Sequence, residues 1–287
     1  MPLSSAFRPS SPALTAPWPP RAAGEVLLMG IVNVTPDSFS DGGRYAAHDK
    51  AIAHGGILAQ EGAHILDIGG ESTRPGFASV EAEEEQRRIL PVITALAGTP
   101  GLPPVSVDTY KAATARLALR AGARIVNDVW GLQRDPAMAD VVAEHGAGLV
   151  LMHNRDEKDA DLDIVAEMER YFGKALLQAE RAGIARSRIV LDPGLGFGKT
   201  HQQNLAAIRA LPRLKALGCA TLLGVSQKSF LGVITGRPVG ERLAGTLATA
   251  LAGVLDGVDI LRVHDIAAHR DVLAVMAALK MGSEYSA

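Results

Sequence analysis

Asn33, Asp67, Asp108, Asn127 with Asp128, His153, Asp192, Ser226 with Lys228, and Arg262 with His264 are the residues whose types and spacing suit chemistry on a small molecule. Each closes or directly follows a short apolar run, so acids, amides, cations and a hydroxyl recur at the same point of a repeating unit. Gathered together, they could hold a polar ligand by hydrogen bonds and balance charge that develops on it. Other chemistries fit less well. The stretch Gly194-Leu-Gly196-Phe-Gly198-Lys199-Thr200 looks like a nucleotide loop, but a phosphate cradle needs glycine where Pro193 stands, and proline has no N–H to offer. No two of the eight histidines stand at metal-binding helical spacing, and His145, His201 and His269 read as surface residues. Cys219 lies in an apolar context and reads as inert core. No Gly-x-Ser-x-Gly elbow occurs, which argues against a hydrolase of that type.

The elements that must position these residues follow one rhythm. Apolar runs at residues 26–32, 64–68, 104–107, 124–126, 148–152, 188–191, 220–224 and 259–263 alternate with Ala-rich stretches of helical period. Residues 111–121, with Ala113, Leu117 and Leu119, and residues 162–182, with Ile164, Val165, Met168, Phe172 and Leu176, are two such helices. Gly122, Gly146, Gly183 and Gly218 fall just past helix ends, where positive φ is wanted. Strand–helix alternation without hairpin signals means a parallel sheet, and eight units make a (β/α)8 TIM barrel of class α/β. All strand ends of such a barrel open on one mouth, whereas an open doubly wound sheet uses only those beside its switch point. Polar residues after every run favour the closed form.

Composition narrows the partners. In 287 residues, 29 Lys and Arg stand against 31 Asp and Glu, so the chain lacks the basic surplus of a nucleic-acid binder. One cysteine excludes an internal disulfide framework and fits a reducing, cytoplasmic setting. No apolar run approaches the ~18–20 residues that span a bilayer. Residues 1–24 are dense in Pro, Ser and Ala and carry no acid, which predicts a disordered or loosely packed extension. They hold no continuous apolar stretch for secretion, and two arginines are few for an import helix. Residues 25–287 form the barrel domain. The apolar helix around Leu243–Leu255, interleaved with Ala and Gly, predicts contact on two sides and hence a homodimer through the outer helices.

Two segments carry a family likeness. Met29-Gly-Ile-Val-Asn33-Val-Thr-Pro-Asp37-Ser-Phe39-Ser-Asp41-Gly-Gly43 and Asp67-Ile-Gly-Gly-Glu71-Ser-Thr73-Arg74-Pro75-Gly76 closely resemble the signature stretches of the dihydropteroate synthase family. Ser106-Val-Asp108-Thr, Val126-Asn127-Asp128-Val, Leu151-Met152-His153, Leu191-Asp192-Pro-Gly-Leu-Gly-Phe197-Gly-Lys199-Thr, Gly224-Val-Ser226-Gln227-Lys228-Ser-Phe-Leu-Gly232 and Arg262-Val-His264-Asp265 resemble its remaining blocks, in the family's order. The likeness spans about residues 26 to 280. It implies a (β/α)8 barrel and a transferase of folate synthesis that joins p-aminobenzoate to a hydroxymethyl-dihydropterin pyrophosphate, releasing pyrophosphate and dihydropteroate.

Matched position by position, the resemblance implies that Asp108, Asn127, Met152, Asp192, Phe197 and Lys228 bind the pterin. It gives Asn33, Thr73, Arg74, Arg262 and His264 to the pyrophosphate, with Asn33 also at Mg²⁺. Phe39, Thr73, Pro75 and Ser226 line the p-aminobenzoate pocket, and Ser226 is expected to begin the helix after the seventh strand. Asp108, Lys228 and Asp41 are implied in catalysis: pyrophosphate departs first, a pterin cation forms opposite Asp108, and Asp41 holds the incoming amine. The loops 34–43 and 69–79 are the expected lids. One departure is Gln227, where the family usually shows arginine, which predicts a weaker grip on p-aminobenzoate. A pterin-binding methyltransferase domain shares the barrel and the Asp/Asn grip but has no use for the Asn33–Asp41 block or for Arg262 and His264. A degenerate paralogue that binds pterin without turnover has only Gln227 in its favour.

Overall fold

Each of the eight apolar runs becomes a strand. The computed structural model describes residues 13–22, 24–34, 41–71 and 80–281. Within them lie β1 (Leu27–Asn33), β2 (Ile65–Gly69), β3 (Val105–Asp108), β4 (Ile125–Asp128), β5 (Gly148–Met152), β6 (Ile189–Asp192), β7 (Ala220–Gly224) and β8 (Ile260–Val263). Every strand pairs in parallel with the next, and β8 returns to β1, closing the barrel. Parallel neighbours need long crossovers, and helices supply them. These are α1 (Asp41–Gln60), α2 (Ala82–Ala97), α3 (Ala112–Arg120), α4 (Met138–Glu144), α5 (Ile164–Arg181), α6 (His201–Arg209), α7 (Leu211–Lys215), α8 (Ser229–Thr235), α9 (Leu243–Leu255) and α10 (Ile266–Met281). Gly122, Gly146, Gly183 and Gly218 all have positive φ, as their places after helix ends require.

Successive side chains of a strand face opposite ways, so each strand serves two layers. Leu28, Val32, Leu66, Ile68, Val107, Val126, Leu151, Leu191 and Val263 face outward into the layer shared with the helices. Leu27, Met29, Ile65, Ile125, Val150, Val190, Leu222 and Ile260 fill the barrel interior. Both layers are apolar, so half of the strands are buried from end to end. The inward set continues upward through Asn33, Asp67, Asn127, Met152, Asp192 and Arg262, each an even number of residues beyond an inward apolar neighbour, and through Asp108, in register with Asn127.

The floor of the barrel departs from the loose extension predicted for residues 1–24. The described part, residues 13–22, is tied down. The Trp18 ring is 4% exposed and joins the interior cluster. Its indole N–H donates to the Arg188 carbonyl at 2.9 Å, and Thr15 N–H donates to the Ser187 carbonyl at 3.1 Å. Arg21 lies 2.7 Å from the buried carboxylate of Asp259, which Lys215 also faces. Proline density excludes helix and central strand but leaves an extended segment free to insert one aromatic ring. Gly148 makes the room: a Cβ there would stand 2.9 Å from the Trp18 ring. Residues 1–12 lie outside the described part.

Two smaller expectations also change. Leu117, taken as part of the buried stripe of α3, is 37% exposed, and Ala115, Ala118 and Leu119 carry the packing instead. His269, expected at the surface, is buried, with Nδ1 2.7 Å from the Asp265 carbonyl. In α9 the buried residues Thr246, Ala250, Gly253 and Val254 form one face, and Ala244, Ala248 and Leu255 are exposed on the rest.

Candidate active site

Strand register decides which polar residues meet. Asn33 stands beside Gly69, Gly69 beside Asp108, and Asp108 beside Asn127, while Met152 stands beside Asp192 and Gly224 beside Arg262. These are the C-terminal ends of the strands, and all point to the axis at one mouth. Gly69 and Gly224 interrupt the ring with no side chain, which leaves space beside Asp108 and Asp192: a Cβ on Gly69 would sit 3.5 Å from the Asp108 Cβ.

Arg262 crosses this mouth. Its Nε donates to Asp67 Oδ2 at 2.6 Å and its Nη2 to Asp108 Oδ2 at 2.7 Å. Asp259, near it in sequence, is at the opposite end of the barrel, where it faces Arg21 and Lys215. Asn127 Nδ2 also donates to Asp67 Oδ2, at 3.0 Å. One arginine therefore faces two buried carboxylates. The second oxygens, Asp67 Oδ1 and Asp108 Oδ1, together with Ser106 Oγ, have no hydrogen-bond partner among the described residues. Buried acceptors left unmade are costly, and a ligand with N–H groups would satisfy them. Burial pushes the Asp108 carboxyl up to about 7, with Arg262 opposing the rise and Asp67 adding to it.

Across the mouth, Asp192 is buried, and burial raises its carboxyl above the usual range. Its Oδ1 accepts from Gly194 N–H at 2.7 Å, and the Lys228 and Arg262 charges oppose the rise. Lys228 Nζ lies 4.6 Å from the centre of the Phe197 ring, a cation–π distance. Met152 is buried at the end of β5, in register with Asp192. The predicted pterin residues Asp108, Asn127, Met152, Asp192, Phe197 and Lys228 are thus brought to one opening.

β8 ends at Val263 and the chain bends at His264 before α10. That break lets His264 turn to the rim, where its Nδ1 is 2.8 Å from Ser226 Oγ. Ser226 does not begin a helix, contrary to the expectation: α8 starts at Ser229, and Ser226 is a buried residue of the preceding turn that orients His264. Gln227, between them, has φ 58°, and its Oε1 accepts from Gly240 N–H at 3.1 Å. The Arg242 guanidinium donates to the Gln227 carbonyl at 3.1 Å, so a cation stands next to the position where arginine is usual. Asn33 is exposed at the rim. Phe39, Thr73, Arg74 and Pro75 lie outside the described residues. So does the Asp41 side chain, although Asp41 is the first residue of α1.

Two strand-end polar residues turn away from the mouth because they have the opposite parity. Asp128 faces outward, and its carboxylate accepts from Trp130 N–H at 2.9 Å and Leu132 N–H at 2.7 Å, capping the turn after β4. The His153 ring packs on Tyr171 of α5, ring centres 4.8 Å apart. Asp67 is the residue that the sequence reading named as a strand end yet left without a role, and it is the hub joining Arg262 to Asn127. No alternation in the sequence marks it, because both faces of β2 are buried.

Among the described residues no three His, Cys, Asp or Glu side chains could hold a metal ion together. No helix among them is long and apolar enough to cross a membrane.

Comparison with known proteins gives a consistent likeness. The sequence model of pterin binding enzymes matches residues 29–264. The dihydropteroate synthase of Bacillus subtilis (strain 168) is 48% identical over 242 residues, 84% of each chain. The crystal structure of Xanthomonas albilineans dihydropteroate synthase with 4-aminobenzoic acid superposes with a TM-score of 0.84 at 45% identity, covering 91% of this chain and 96% of that one. The same enzyme in complex with 7,8-dihydropteroate gives a TM-score of 0.80 at 44% identity, over 90% and 94%.

Proposed function

The chain belongs to the pterin-binding enzymes and, within them, to the dihydropteroate synthase family, and from that premise we propose the reaction its mouth performs. It is a transferase that joins p-aminobenzoate to hydroxymethyl-dihydropterin pyrophosphate, giving dihydropteroate and pyrophosphate. The observation that carries the reading is the inward ring of Asp67, Asp108, Asn127, Asp192 and Arg262 at one end of the barrel, with Asp67 Oδ1 and Asp108 Oδ1 unpaired among the described residues. A pterin edge supplies N–H groups for those oxygens and ring acceptors for Lys228. Phe197 and Met152 cover its flat faces.

The charges suit an ionising step. When the C–O bond breaks, positive charge grows on the pterin methylene and negative charge on the departing pyrophosphate. At about 4 Å and an effective dielectric near 20, the Asp108 carboxylate contributes about 4 kcal/mol to a facing cation. If realised only in the transition state, that is about three powers of ten in rate. Arg262, anchored on Asp67 through Nε and on Asp108 through Nη2, turns Nη1 to the leaving anion, with His264 beside it. The nucleophile is a neutral aromatic amine, so no strong base must act first. Asp41 orients that amine, and Phe39, Thr73 and Pro75 complete its pocket. Arg74 and Thr73 join the pyrophosphate contacts.

Magnesium fits as an ion that arrives with the diphosphate. Asn33 offers a neutral oxygen at the rim, and Mg²⁺ prefers substrate phosphate and water for its other ligands. When bound, the ion would neutralise part of the leaving group's charge. We read the protein as cytoplasmic, without nucleic-acid or membrane partners, and as a homodimer through its outer helices.

The test is incubation with the pterin pyrophosphate, p-aminobenzoate and Mg²⁺, following pyrophosphate and dihydropteroate together. Joint release is expected. Pterin bound with no pyrophosphate released would favour the degenerate paralogue, and methyl transfer to a corrinoid would favour the methyltransferase domain.

A further inference from the structure

Lys199 is 2% exposed, and its ammonium is surrounded by acceptors. Nζ lies 2.7 Å from His153 Nδ1, 2.9 Å from the Gly194 carbonyl, 3.1 Å from the Phe197 carbonyl and 3.2 Å from the His153 carbonyl. An ammonium has three protons, so these four acceptors leave it no capacity for anything else. They come from two segments: the residue after β5, and the loop from Pro193 to Thr200 that rises from Asp192. A further bond joins the same segments, from His153 N–H to the Asp192 carbonyl at 2.9 Å.

The loop is pressed onto its neighbour with no room for side chains. Gly194 (φ 66°) lies against the His153 carbonyl, which a Cβ would strike, and Gly198 (φ 56°) lies against Arg155 in the same way. Two carbonyls held by Lys199 bracket the crest of this loop, where Phe197 faces Lys228. The Gly196 backbone there is close enough that a Cβ would be 3.6 Å from Lys228 Cδ. The foot of the loop is Gly194, whose N–H holds Asp192.

We propose that Lys199, seated on the neutral ring of His153, is a positioning residue that holds Asp192, Phe197 and Lys228 in the arrangement that receives the pterin. This deepens the function proposed above and rests on the assignment of those three residues to the pterin. Burial pushes His153 down to about 2, which keeps its ring neutral, and the Lys199 ammonium beside Nδ1 favours the tautomer with its lone pair there. Burial also lowers Lys199 to about 7, with Asp192 opposing and Lys228 and Arg155 reinforcing the fall. Lys199 is buried, and its four hydrogen-bond acceptors all lie on the His153 segment and this loop, so it acts through the loop.

The test is Lys199→Met in the full-length protein, read by separate KM values for the two substrates alongside thermal stability. The KM for the pterin pyrophosphate should rise at least tenfold while that for p-aminobenzoate stays within twofold. His153→Leu, which removes one of the four acceptors, should raise the pterin KM by a smaller factor in the same direction. Equal rises in both KM values, or an unchanged pterin KM in a folded variant, would overturn the proposal. Should Lys199→Met not fold, Lys199→Gln keeps two donors for the loop carbonyls; an intermediate pterin KM supports the proposal and an unchanged one overturns it. Wild-type protein that makes no dihydropteroate would instead refute the underlying function.

Discussion

At the scale of single residues, the mouth is built from groups held in unfavourable states. Asp108 and Asp67 share one guanidinium, and each keeps an oxygen without a partner among the described residues. Burial raises the Asp108 carboxyl from 3.8 to about 7, so the folded protein holds its proton more tightly than the unfolded chain does. The stabilising effect of that proton is complete below about 3.8 and is lost as pH rises through about 7. The proposed mechanism needs the ionised form, so kcat/KM for the pterin substrate should fall as pH drops through about 7, measured at constant ionic strength. A profile flat from pH 6 to 8 would speak against a catalytic Asp108 carboxylate. Gln227 makes a second prediction. Its side chain is turned to Gly240, and Gln227→Arg should lower the KM for p-aminobenzoate with the pterin KM little changed. An untouched p-aminobenzoate KM would show that Arg242, already on the Gln227 carbonyl, supplies enough positive charge.

At the scale of elements, the strands were legible because each run is short, apolar and bounded by polar or glycine-rich turns. The observed limits fall within two residues of the runs in every case. What the sequence hid was parity. In a parallel barrel both faces of a strand are buried, so no alternation marks which strand-end residue faces the axis. Asp108 and Asn127 therefore read the same as Asp128 and His153, yet the first two face the mouth and the last two brace turns and helices. Ser226 was misplaced for a related reason, since four residues separate β7 from α8 and only backbone geometry fixes where the helix begins. Trp18 was invisible because nothing in a proline-rich stretch indicates that one ring will plug a barrel floor. Trp18→Ala should cost about 3–5 kcal/mol of stability, as for other large aromatic deletions in a core. Because the floor is remote from the mouth, kcat at a temperature where the variant is folded should stay within twofold. Chemical denaturation and steady-state kinetics together check this, and a large loss of kcat without loss of stability would contradict it.

At the scale of the whole molecule, one end of the barrel is devoted to stability and the other to function, as the closed topology allows. The outer ring adds an apolar surface that the described residues leave uncovered: Leu255 on α9, and Val275 and Leu279 on α10, the last 72% exposed. Sedimentation equilibrium should give twice the chain mass at micromolar concentration, and Leu255→Asp with Leu279→Asp should shift it to the monomer; a wild-type monomer at every concentration would contradict the dimer. The central claim is that one ring of inward strand ends both grips the pterin and stabilises the charge created when pyrophosphate leaves. Its most direct test is a single-turnover comparison of the wild type with Asp108→Asn, quantifying pyrophosphate and dihydropteroate from the same reaction. The account predicts equal amounts of both products from the wild type. It predicts a rate about a thousandfold lower for a variant that is folded and no less stable. An Asp108→Asn rate within tenfold of the wild type, or a wild type that releases no dihydropteroate, would contradict it.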